Sequence, residues 1–390
     1  MFELCLEKNK SFIQKTKKLE NFIPVNRPIL KGNEKKYVNE CIESGWISSE
    51  GSFVKRFEEK FATYVERRFG IAVCNGSVAL DVAINALGIK EGDEVIMPTF
   101  TIISCAAALV RAGAIPVLVD SDPITWNMNV EQIEKNITEK TKAIMVVHIY
   151  GLPVDLDPIL NLAKKHKLKI IEDAAQMHGQ NYKSKKCGSF GDVSTFSFYP
   201  NKHITTGEGG MVLTDDENLS EKCRSLRNLC FKKEKRFVHD ELGFNFRMTN
   251  IQAALGLAQL EQIDRFIDVK REMGKFYTKN LKENLNIDLP LESTNYAQNI
   301  YWVYGIVLNQ QFKFDAENIM QKLNVKGIGT RPFFWCMHEQ PVFKKLGFFK
   351  NQKFPIAENL ARRGFYIPSG LGLKRTEMER VCSVLKEVLR

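Results

Sequence analysis

The stretch "VSTFSFYPNKHITTGEGGMVLTD" (residues 193–215) combines two apolar strand patterns with a glycine-rich turn that carries a single lysine, Lys202. Glycine permits positive φ and lets backbone amides come close to a ligand. A lysine held on such a turn can be desolvated and act as an amine nucleophile toward a carbonyl group. The commoner alternative for a lone lysine is a solvated side chain beside a loop, so the choice depends on what the rest of the chain places around this turn.

The two strand patterns of this stretch end a longer series of apolar runs. Several of these runs are continuous, which is typical of strands covered on both faces. Helical patterns separate the earlier runs at residues 77–89, 102–113 and 155–167. The predicted strands are "GIAVC" (70–74), "EVIMP" (94–98), "IPVLVD" (115–120), "AIMVVHIY" (143–150), "LKIIED" (168–173), "VSTFSF" (193–198) and "GMVLTD" (210–215).

The alternation of strands and helices predicts an α/β fold with a mostly parallel sheet whose two faces are covered by helices. The last two strands follow each other with only the lysine turn between them. We therefore expect part of this sheet to be antiparallel.

The chain beyond residue 215 predicts a second, smaller domain. Residues 251–285 read as one long or two broken amphipathic helices. Two more strands are predicted at residues 301–309 and 363–370, and a last helix at residues 376–390. We expect an N-terminal extension, a large domain and a small C-terminal α/β domain, with limits at residues 1–23, 24–265 and 266–390.

The bulk composition excludes several classes of protein. The formal net charge is +10, but acidic residues alternate with most basic clusters, which favours solvated faces over an attraction for anionic substrates such as phosphates. No helix-turn-helix, zinc finger or aromatic-studded basic strand supports a nucleic-acid partner. No apolar run could span a bilayer, and the charged start of the chain lacks the apolar core of a secretion signal. The nine cysteines are odd in number and scattered, which predicts reduced thiols in a cytoplasmic protein.

Ligands of an open parallel sheet collect at the carboxyl ends of its strands. After the first predicted strand, Asn75, Gly76 and Ser77 open a helix. The exposed amides of a helix N-terminus bind a phosphate, and the Ser77 hydroxyl can add a further hydrogen bond. A plain serine at a helix cap is the alternative interpretation.

The strand "LKIIED" ends in Asp173, and Gln176 follows three residues later. A carboxylate at the end of a buried strand is costly without a cationic partner. A cap or salt bridge would supply one. A pyridinium nitrogen held by Asp173 would supply another and would make the ring an electron sink; Gln176 could then donate to a ring hydroxyl.

The next strand end carries Ser197, five residues before Lys202. Ser197 is either an ordinary inward-facing serine or a second hydroxyl for the phosphate. A phosphate cradle, an acid for a ring nitrogen and a lysine able to form a Schiff base together indicate pyridoxal phosphate chemistry.

From about residue 23 to the C-terminus, the chain resembles the DegT/StrS-type sugar aminotransferases within the fold-type-I pyridoxal phosphate enzymes, and it is most similar to the perosamine synthases. As a set, the matching stretches are highly specific. They are "GNEKKYVNECIESGWISSEG" (32–51), "CNGSVALDVAINALGIKEGDEV" (74–95), "IEDAAQMHG" (171–179), "GSFGDVSTFSFYPNKHITTGEGGMV" (188–212), "GFNFRMTNIQAALG" (243–256) and "TRPFFWCMHEQP" (330–341).

The resemblance implies a seven-stranded large domain and a homodimer with active sites at the subunit interface. It assigns Lys202 to the Schiff base and to proton transfer between substrate and cofactor, and Asp173 to the pyridine nitrogen. It assigns the remaining cofactor contacts to Gln176 at the ring oxygen, to Gly76, Ser77 and Ser197 at the phosphate, and to Asn245, which reaches the phosphate from the neighbouring subunit. It places Arg247, Arg331 and His338 near the substrate; Arg331 could equally pin its loop, and His338 could be a packed core histidine.

Two departures from the family pattern lie near the expected substrate. Members usually stack an aromatic residue on the cofactor ring after "FT", where this chain has Ile102, while Phe100 points elsewhere if the strand alternates. An aliphatic side chain can still pack on the ring. In addition, Cys336 stands where proline is common.

The kept lysine indicates the reaction class, because histidine replaces it in the related sugar 3-dehydratases. Lys202 therefore favours amino transfer over dehydration, and His203 beside it is expected to be structural. We expect nearby positive charge and partial burial to lower the pKa of Lys202, so that its amine is neutral.

The expected activity is transfer of an amino group from L-glutamate to a phosphorylated keto substrate. The first candidate is a nucleotide-linked 4-keto-6-deoxysugar, such as GDP-4-keto-6-deoxymannose, used for surface polysaccharide. A small phosphorylated ketone such as dihydroxyacetone phosphate is the second. A non-catalytic regulator or nucleic-acid-binding protein with the same fold is the third, and the retention of Lys202, Asp173 and Ser197 speaks against it.

Overall fold

The computed structural model describes residues 22–232 and 234–390. The predicted extension, residues 1–23, therefore lies almost wholly outside the described residues. The strands are β1 Phe69–Val73, β2 Glu94–Pro98, β3 Ile115–Val119, β4 Thr141–Val147, β5 Lys169–Asp173, β6 Asn181–Tyr182, β7 Lys185–Lys186, β8 Val193–Ser197, β9 Gly210–Thr214, β10 Ile287–Asp288, β11 Tyr304–Leu308, β12 Arg331–Pro332 and β13 Gly364–Ile367.

The large sheet confirms the predicted α/β fold. It has seven strands in the order β1-β9-β8-β5-β4-β2-β3, and each forms within one of the apolar runs predicted to be a strand or overlaps it closely. Pairs within β8-β5-β4-β2-β3 are parallel. Strand β9 pairs antiparallel with both β8 and β1, which confirms that the strand after the lysine turn runs the opposite way.

Helices cover this sheet and build the rest of the chain. They are α1 Glu34–Ser44, α2 Ser52–Tyr64, α3 Gly76–Ala86, α4 Ile103–Arg111, α5 Leu156–His166, α6 Glu217–Arg227, α7 Asn250–Leu260, α8 Ile263–Leu281, α9 Ala316–Val325, α10 Pro341–Lys345, α11 Pro355–Arg363 and α12 Arg375–Val388. Short 3-10 turns lie at Val130–Gln132, Glu134–Asn136 and Met337–Glu339. The pattern at residues 251–285 corresponds to two helices, α7 and α8, which are separated at residues 261–262.

Alternate residues of the strands enter two separate apolar cores. Ile71 and Val73 of β1 pack into one core, and Ala72 between them packs into the other. All three are fully buried. This double burial explains why the strands read as continuous apolar runs, since both faces of the sheet exclude water.

The small domain contains an antiparallel sheet in the order β10-β11-β13-β12 and a third apolar core. Helix α8 joins the two domains, because its Ile267 packs in a large-domain core and its Met273 packs in the small-domain core. The domain boundary at residue 265 stays a prediction; it lies close to the point where α8 passes from one core to the other.

The first described residues pair with the small domain, which no local sequence pattern indicates. The amide of Ile23 donates to the Gly327 carbonyl at 2.9 Å, and the Gly329 amide donates to the Ile23 carbonyl at 2.8 Å. Ile23 also belongs to the small-domain core. The first described residues therefore lie on the small domain, ahead of the elements of the large domain.

Two further expectations concern the described residues alone. None of the helices in residues 22–232 and 234–390 combines the length and apolarity needed to cross a membrane. The cysteines within those ranges are free thiols.

Candidate active site

Helix α3 begins at Gly76, directly after β1, at the position where the sequence predicts a phosphate site. Asn75 caps this helix, because its Oδ1 accepts a hydrogen bond from the Val78 amide at 3.0 Å. The amides of the first helical turn have no partner within the helix, and they form an anion site with the positive end of the helix dipole. The exposed Ser77 hydroxyl lies 2.7 Å from the Ser104 hydroxyl of α4, which the sequence analysis did not include.

Two glycines allow this cradle to approach the sheet. A Cβ at Gly76 would lie 2.6 Å from Cβ of Ser197, and a Cβ at Gly210 would lie 2.4 Å from the Asn75 carbonyl oxygen. Real Cβ atoms do not approach other atoms so closely. The glycines therefore bring Ser197, at the end of β8, against the start of α3, and the two predicted phosphate contacts meet at one place.

Asp173 ends β5 and is only 4% exposed. Its Oδ1 accepts from the Ala175 amide at 3.0 Å, and its Oδ2 accepts from the Cys105 thiol at 3.2 Å. Burial raises the pKa of Asp173, while these hydrogen bonds and the charges of Lys202 and His148 act against that rise. A protonated ring nitrogen would be a positive charge next to this buried carboxylate and would favour its ionised form.

Gln176 is equally buried and is oriented by the backbone. Its Oε1 accepts a hydrogen bond from the Tyr150 amide at 2.6 Å. Its Nε2 is therefore the end of the side chain that can donate, as the predicted contact with a ring oxygen requires.

Lys202 lies on its turn with Nζ 3.6 Å from the centre of the Trp302 ring. Burial lowers the pKa of Lys202 to about 7, and the Asp173 carboxylate opposes this shift. The prediction of a lowered pKa agrees with the structure, but the expected contribution of neighbouring positive charge does not, since the nearest charge that acts on the amine is negative.

Ile102 caps α4 in an extended conformation, and 41% of its surface is exposed. Phe100 is fully buried, with its ring 6.1 Å from that of Tyr150 and 5.9 Å from that of Phe333. The ring of Phe100 thus points into the core and not toward the exposed surface at Ile102, as strand alternation predicts. The stacking of Ile102 on a cofactor ring stays a prediction.

Asn245 and Arg247 lie together beside the end of β1. The backbone of Arg247 pairs with Val73, and the Phe246 carbonyl accepts from the Cys74 amide at 2.9 Å. Asn245 is exposed, and its Oδ1 accepts from Nε of Arg247 at 2.9 Å. The reach of Asn245 to a neighbouring subunit stays a prediction.

Arg331 is exposed on β12 and lines an open cavity of about 370 Å³. Tyr199 and Asn201, which directly precede Lys202, line the same cavity, together with Tyr366 and residues of the 22–28 segment. Arg331 is therefore near the lysine turn and open to solvent, where it can meet an anionic substrate.

His338 and His203 are both buried. Nδ1 of His338 is 2.8 Å from the Thr99 hydroxyl, and its Nε2 is 3.0 Å from Oε1 of Glu358. Both ring nitrogens of His338 have protein partners, so the geometry favours the packed-histidine alternative. Nε2 of His203 lies 3.2 Å from the Ile300 carbonyl, and burial lowers its pKa well below the usual value, as suits a structural residue.

Sequence reasoning missed Cys105, Trp302 and Lys270 as parts of this site. Each makes a contact with a residue distant in sequence. The Cys105 thiol donates to Asp173, and the Trp302 ring lies against the amine of Lys202. The Lys270 amine donates to the Trp302 carbonyl at 2.8 Å. Lys270 is 1% exposed, and a lysine within a helical pattern carries no signal of such burial.

These residues fit pyridoxal phosphate. The cradle that only glycine permits at residue 76 suits the phosphate, and the buried Asp173 suits a charged ring nitrogen. Lys202 presents an amine whose pKa is lowered by burial to about 7. Together they can bind an aldehyde cofactor and move a proton next to it.

Comparison with known proteins points to the same chemistry. A model described as the DegT/DnrJ/EryC1/StrS aminotransferase family matches residues 28–386. The GDP-perosamine synthase of Escherichia coli O157:H7 is 46% identical over 366 residues, covering 94% of this chain and 98% of that protein. The GDP-perosamine synthase of Vibrio cholerae is 41% identical over 364 residues, covering 93% and 98%. Among solved structures, S. venezuelae DesV in complex with a ketimine intermediate is 30% identical, with a TM-score of 0.85 and coverage of 92% of this chain and 94% of that chain.

Proposed function

Because the chain belongs to the DegT/DnrJ/EryC1/StrS aminotransferase family, we propose that it moves an amino group from L-glutamate to the keto group of a nucleotide-linked 4-keto-6-deoxysugar. Pyridoxal phosphate is its cofactor. The single observation that carries the proposal in the structure is the lysine turn, where burial lowers the pKa of Lys202 to about 7 and the charge of the buried Asp173 acts on the same amine.

When bound, pyridoxal phosphate supplies an aldehyde and a ring that withdraws electrons from the carbon atoms bonded to the amino group. The amine of Lys202 would hold the cofactor and would accept the proton from Cα of the amino donor. Asp173 would favour a positive charge on the ring nitrogen. Gln176 would orient the ring through its Nε2, and the start of α3 with Ser77 and Ser197 would bind the phosphate.

The nucleotide sugar is supported by the relatives. Proteins that are 46% and 41% identical over nearly their full length are GDP-perosamine synthases, and GDP-perosamine is a nucleotide-linked amino sugar. The small phosphorylated ketone is not favoured, since the relatives that are 46% and 41% identical are named for a nucleotide-linked sugar. The regulator is not favoured either, because Lys202, Asp173 and the glycine cradle are all in place.

The proposed enzyme is a cytoplasmic homodimer that shares its active sites and serves surface polysaccharide, such as capsule or lipopolysaccharide. Exposed apolar side chains support the dimer. Phe237 and Leu242, on the loop that leads to Asn245, are 82% and 94% exposed, and Trp46 is 59% exposed. Burial of such side chains against a second copy is favourable.

The test offers purified enzyme, pyridoxal phosphate and L-glutamate to GDP-4-keto-6-deoxymannose and, separately, to dihydroxyacetone phosphate, while 2-oxoglutarate is followed. We expect turnover with the nucleotide sugar only. Lys202→Ala should lower turnover at least about 10³-fold, since both covalent attachment and proton transfer are lost. Lys185→Ala, on the short strand β7 and exposed to solvent, should retain turnover. Full turnover by Lys202→Ala, or amination of the small ketone alone, would refute the proposal.

A further inference from the structure

Trp302 contacts the lysine turn through its ring face and through its ring nitrogen. The face lies 3.6 Å from Nζ of Lys202, measured to the ring centre. The indole Nε1 donates to the carbonyl of Asn201 at 2.8 Å. One side chain therefore contacts both the amine of Lys202 and the peptide that precedes this residue.

The surroundings of Trp302 fix the orientation of its ring. Trp302 is 4% exposed, and the ring of Tyr150 stacks beside it, with centres 5.9 Å apart and planes at 30°. The amide of this same Tyr150 donates to Gln176. The ring of Trp302 and the amide of Gln176 are thus held relative to one another through a single intervening residue.

Lys270 of helix α8 fixes the backbone of Trp302. Its Nζ donates to the Trp302 carbonyl at 2.8 Å and also to the Ser369 carbonyl. Burial lowers the pKa of Lys270 to about 7. A buried amine is costly unless hydrogen bonds satisfy it. Through these two bonds, Lys270 links the backbone at Trp302 to the backbone at Ser369, two residues after β13.

An ammonium group above an indole face is attracted by the negative face of the ring within about 6 Å, and the attraction is stronger where water is excluded. In the reaction proposed above, the Lys202 amine is repeatedly released from the cofactor. A released, partly desolvated amine needs a favourable position that is close enough for it to return.

We propose that Trp302 is a positioning residue for Lys202, and that its indole face is the surface on which the released amine rests. This inference rests on the proposed function for its purpose, but it concerns a contact within the chain itself. The Asn201 carbonyl binds the ring nitrogen of Trp302, Lys270 binds its backbone carbonyl, and the ring face contacts the amine of Lys202.

The test compares Trp302→Phe with Trp302→Met in the full chain after removal of the cofactor. Both variants lose the indole N–H, and only phenylalanine keeps an aromatic face, while methionine fills a similar volume without one. Trace acetylation over a range of pH, followed by mass spectrometry of the Lys202 peptide, gives the pKa of this amine. An aromatic face favours the charged amine, so we expect the pKa of Lys202 to be about 0.5 to 1 unit higher in the phenylalanine variant.

Equal pKa values in the two folded variants would overturn the inference, and so would a higher value for methionine. Thermal unfolding and the labelling of Lys185 control for general changes of structure. The two proposals fail separately. If the wild type aminates neither keto substrate while the expected order of pKa values is found, the proposed function fails and the position of the amine stands. If the nucleotide sugar is aminated and the pKa values are equal, the inference fails alone.

Discussion

The thiol of Cys105 donates a hydrogen bond to Oδ2 of Asp173 at 3.2 Å. Helix α4, which carries Cys105, thereby contacts the carboxylate that we propose to bind the ring nitrogen of the cofactor. The Ala175 amide already occupies Oδ1, so the thiol fixes the second oxygen and with it the plane of the carboxyl group.

Cys105→Ala should weaken the hold of Asp173 on a charged ring nitrogen, because loss of the hydrogen bond lets burial raise the pKa of Asp173 further. A net hydrogen bond contributes about 0.5–1.5 kcal/mol, so we expect the rate of the glutamate half-reaction to fall about three- to tenfold. Cys105→Ser keeps a donor and should retain most of the rate. Equal losses in the two variants would assign Cys105 to packing alone.

The covalent attachment of pyridoxal phosphate to cofactor-free protein should depend on pH through the state of Lys202. Only the neutral amine attacks an aldehyde, and burial lowers its pKa to about 7. The rate should therefore rise with pH up to about 7 and level off above it. Stopped-flow absorbance measures this profile. A rate that still rises toward pH 10, as for an ordinary lysine, would contradict the burial of this amine.

Gly76→Ala should impair cofactor binding, since the new Cβ would lie 2.6 Å from Cβ of Ser197. Overpacking costs about 1–3 kcal/mol, and the displaced atoms are those of the phosphate cradle. We expect the dissociation constant of pyridoxal phosphate to rise about tenfold or more. Gly32→Ala is the matched control, because its nearest neighbours are 3.4 Å away. Fluorescence titration gives the dissociation constant of pyridoxal phosphate for both variants. An unchanged dissociation constant in Gly76→Ala would show that the phosphate binds elsewhere.

Arg331→Ala and His338→Ala separate substrate binding from packing. Arg331 is exposed in the cavity, so its loss should raise KM for the nucleotide sugar about tenfold and leave the free energy of unfolding unchanged. His338 is buried between Thr99 and Glu358, so its loss should lower the free energy of unfolding by about 2 kcal/mol with little change in KM. Urea unfolding and initial-rate kinetics give both quantities, and the reverse pattern would exchange the two roles.

The parts of the fold that were predictable are those with local signals. Strand β1 is a continuous apolar run that Gly76 follows closely, and Asp173 ends β5, so both residues lie at the edge where ligands collect. The lysine turn was recognisable because proline, lysine and glycines stand together in a few residues.

The remaining parts depend on contacts between distant segments. Trp302 lies about a hundred residues from Lys202 in the chain, and nothing in "NIYWVY" distinguishes its ring from an ordinary core residue. The buried state of Lys270 depends on two carbonyls supplied by other segments. The place of Ile23 on the small domain is set by pairing with residues near 328, which no local pattern encodes.

The reversed direction of β9 has a consequence for engineering this enzyme. Because β8 ends and β9 begins at the same edge of the sheet, residues 198–209 leave and re-enter the sheet at one point, with the Phe198 amide bonded to the Gly209 carbonyl at 2.8 Å. Asn26 and Trp302 bind the carbonyls of Pro200 and Asn201. These hydrogen bonds hold the backbone that precedes Lys202 in place, so the position of its amine changes only through rotation of the side chain. Libraries aimed at new sugars should therefore keep residues 198–209 at their present number, and they should change Arg331 by substitution alone, because its strand β12 is paired with β13.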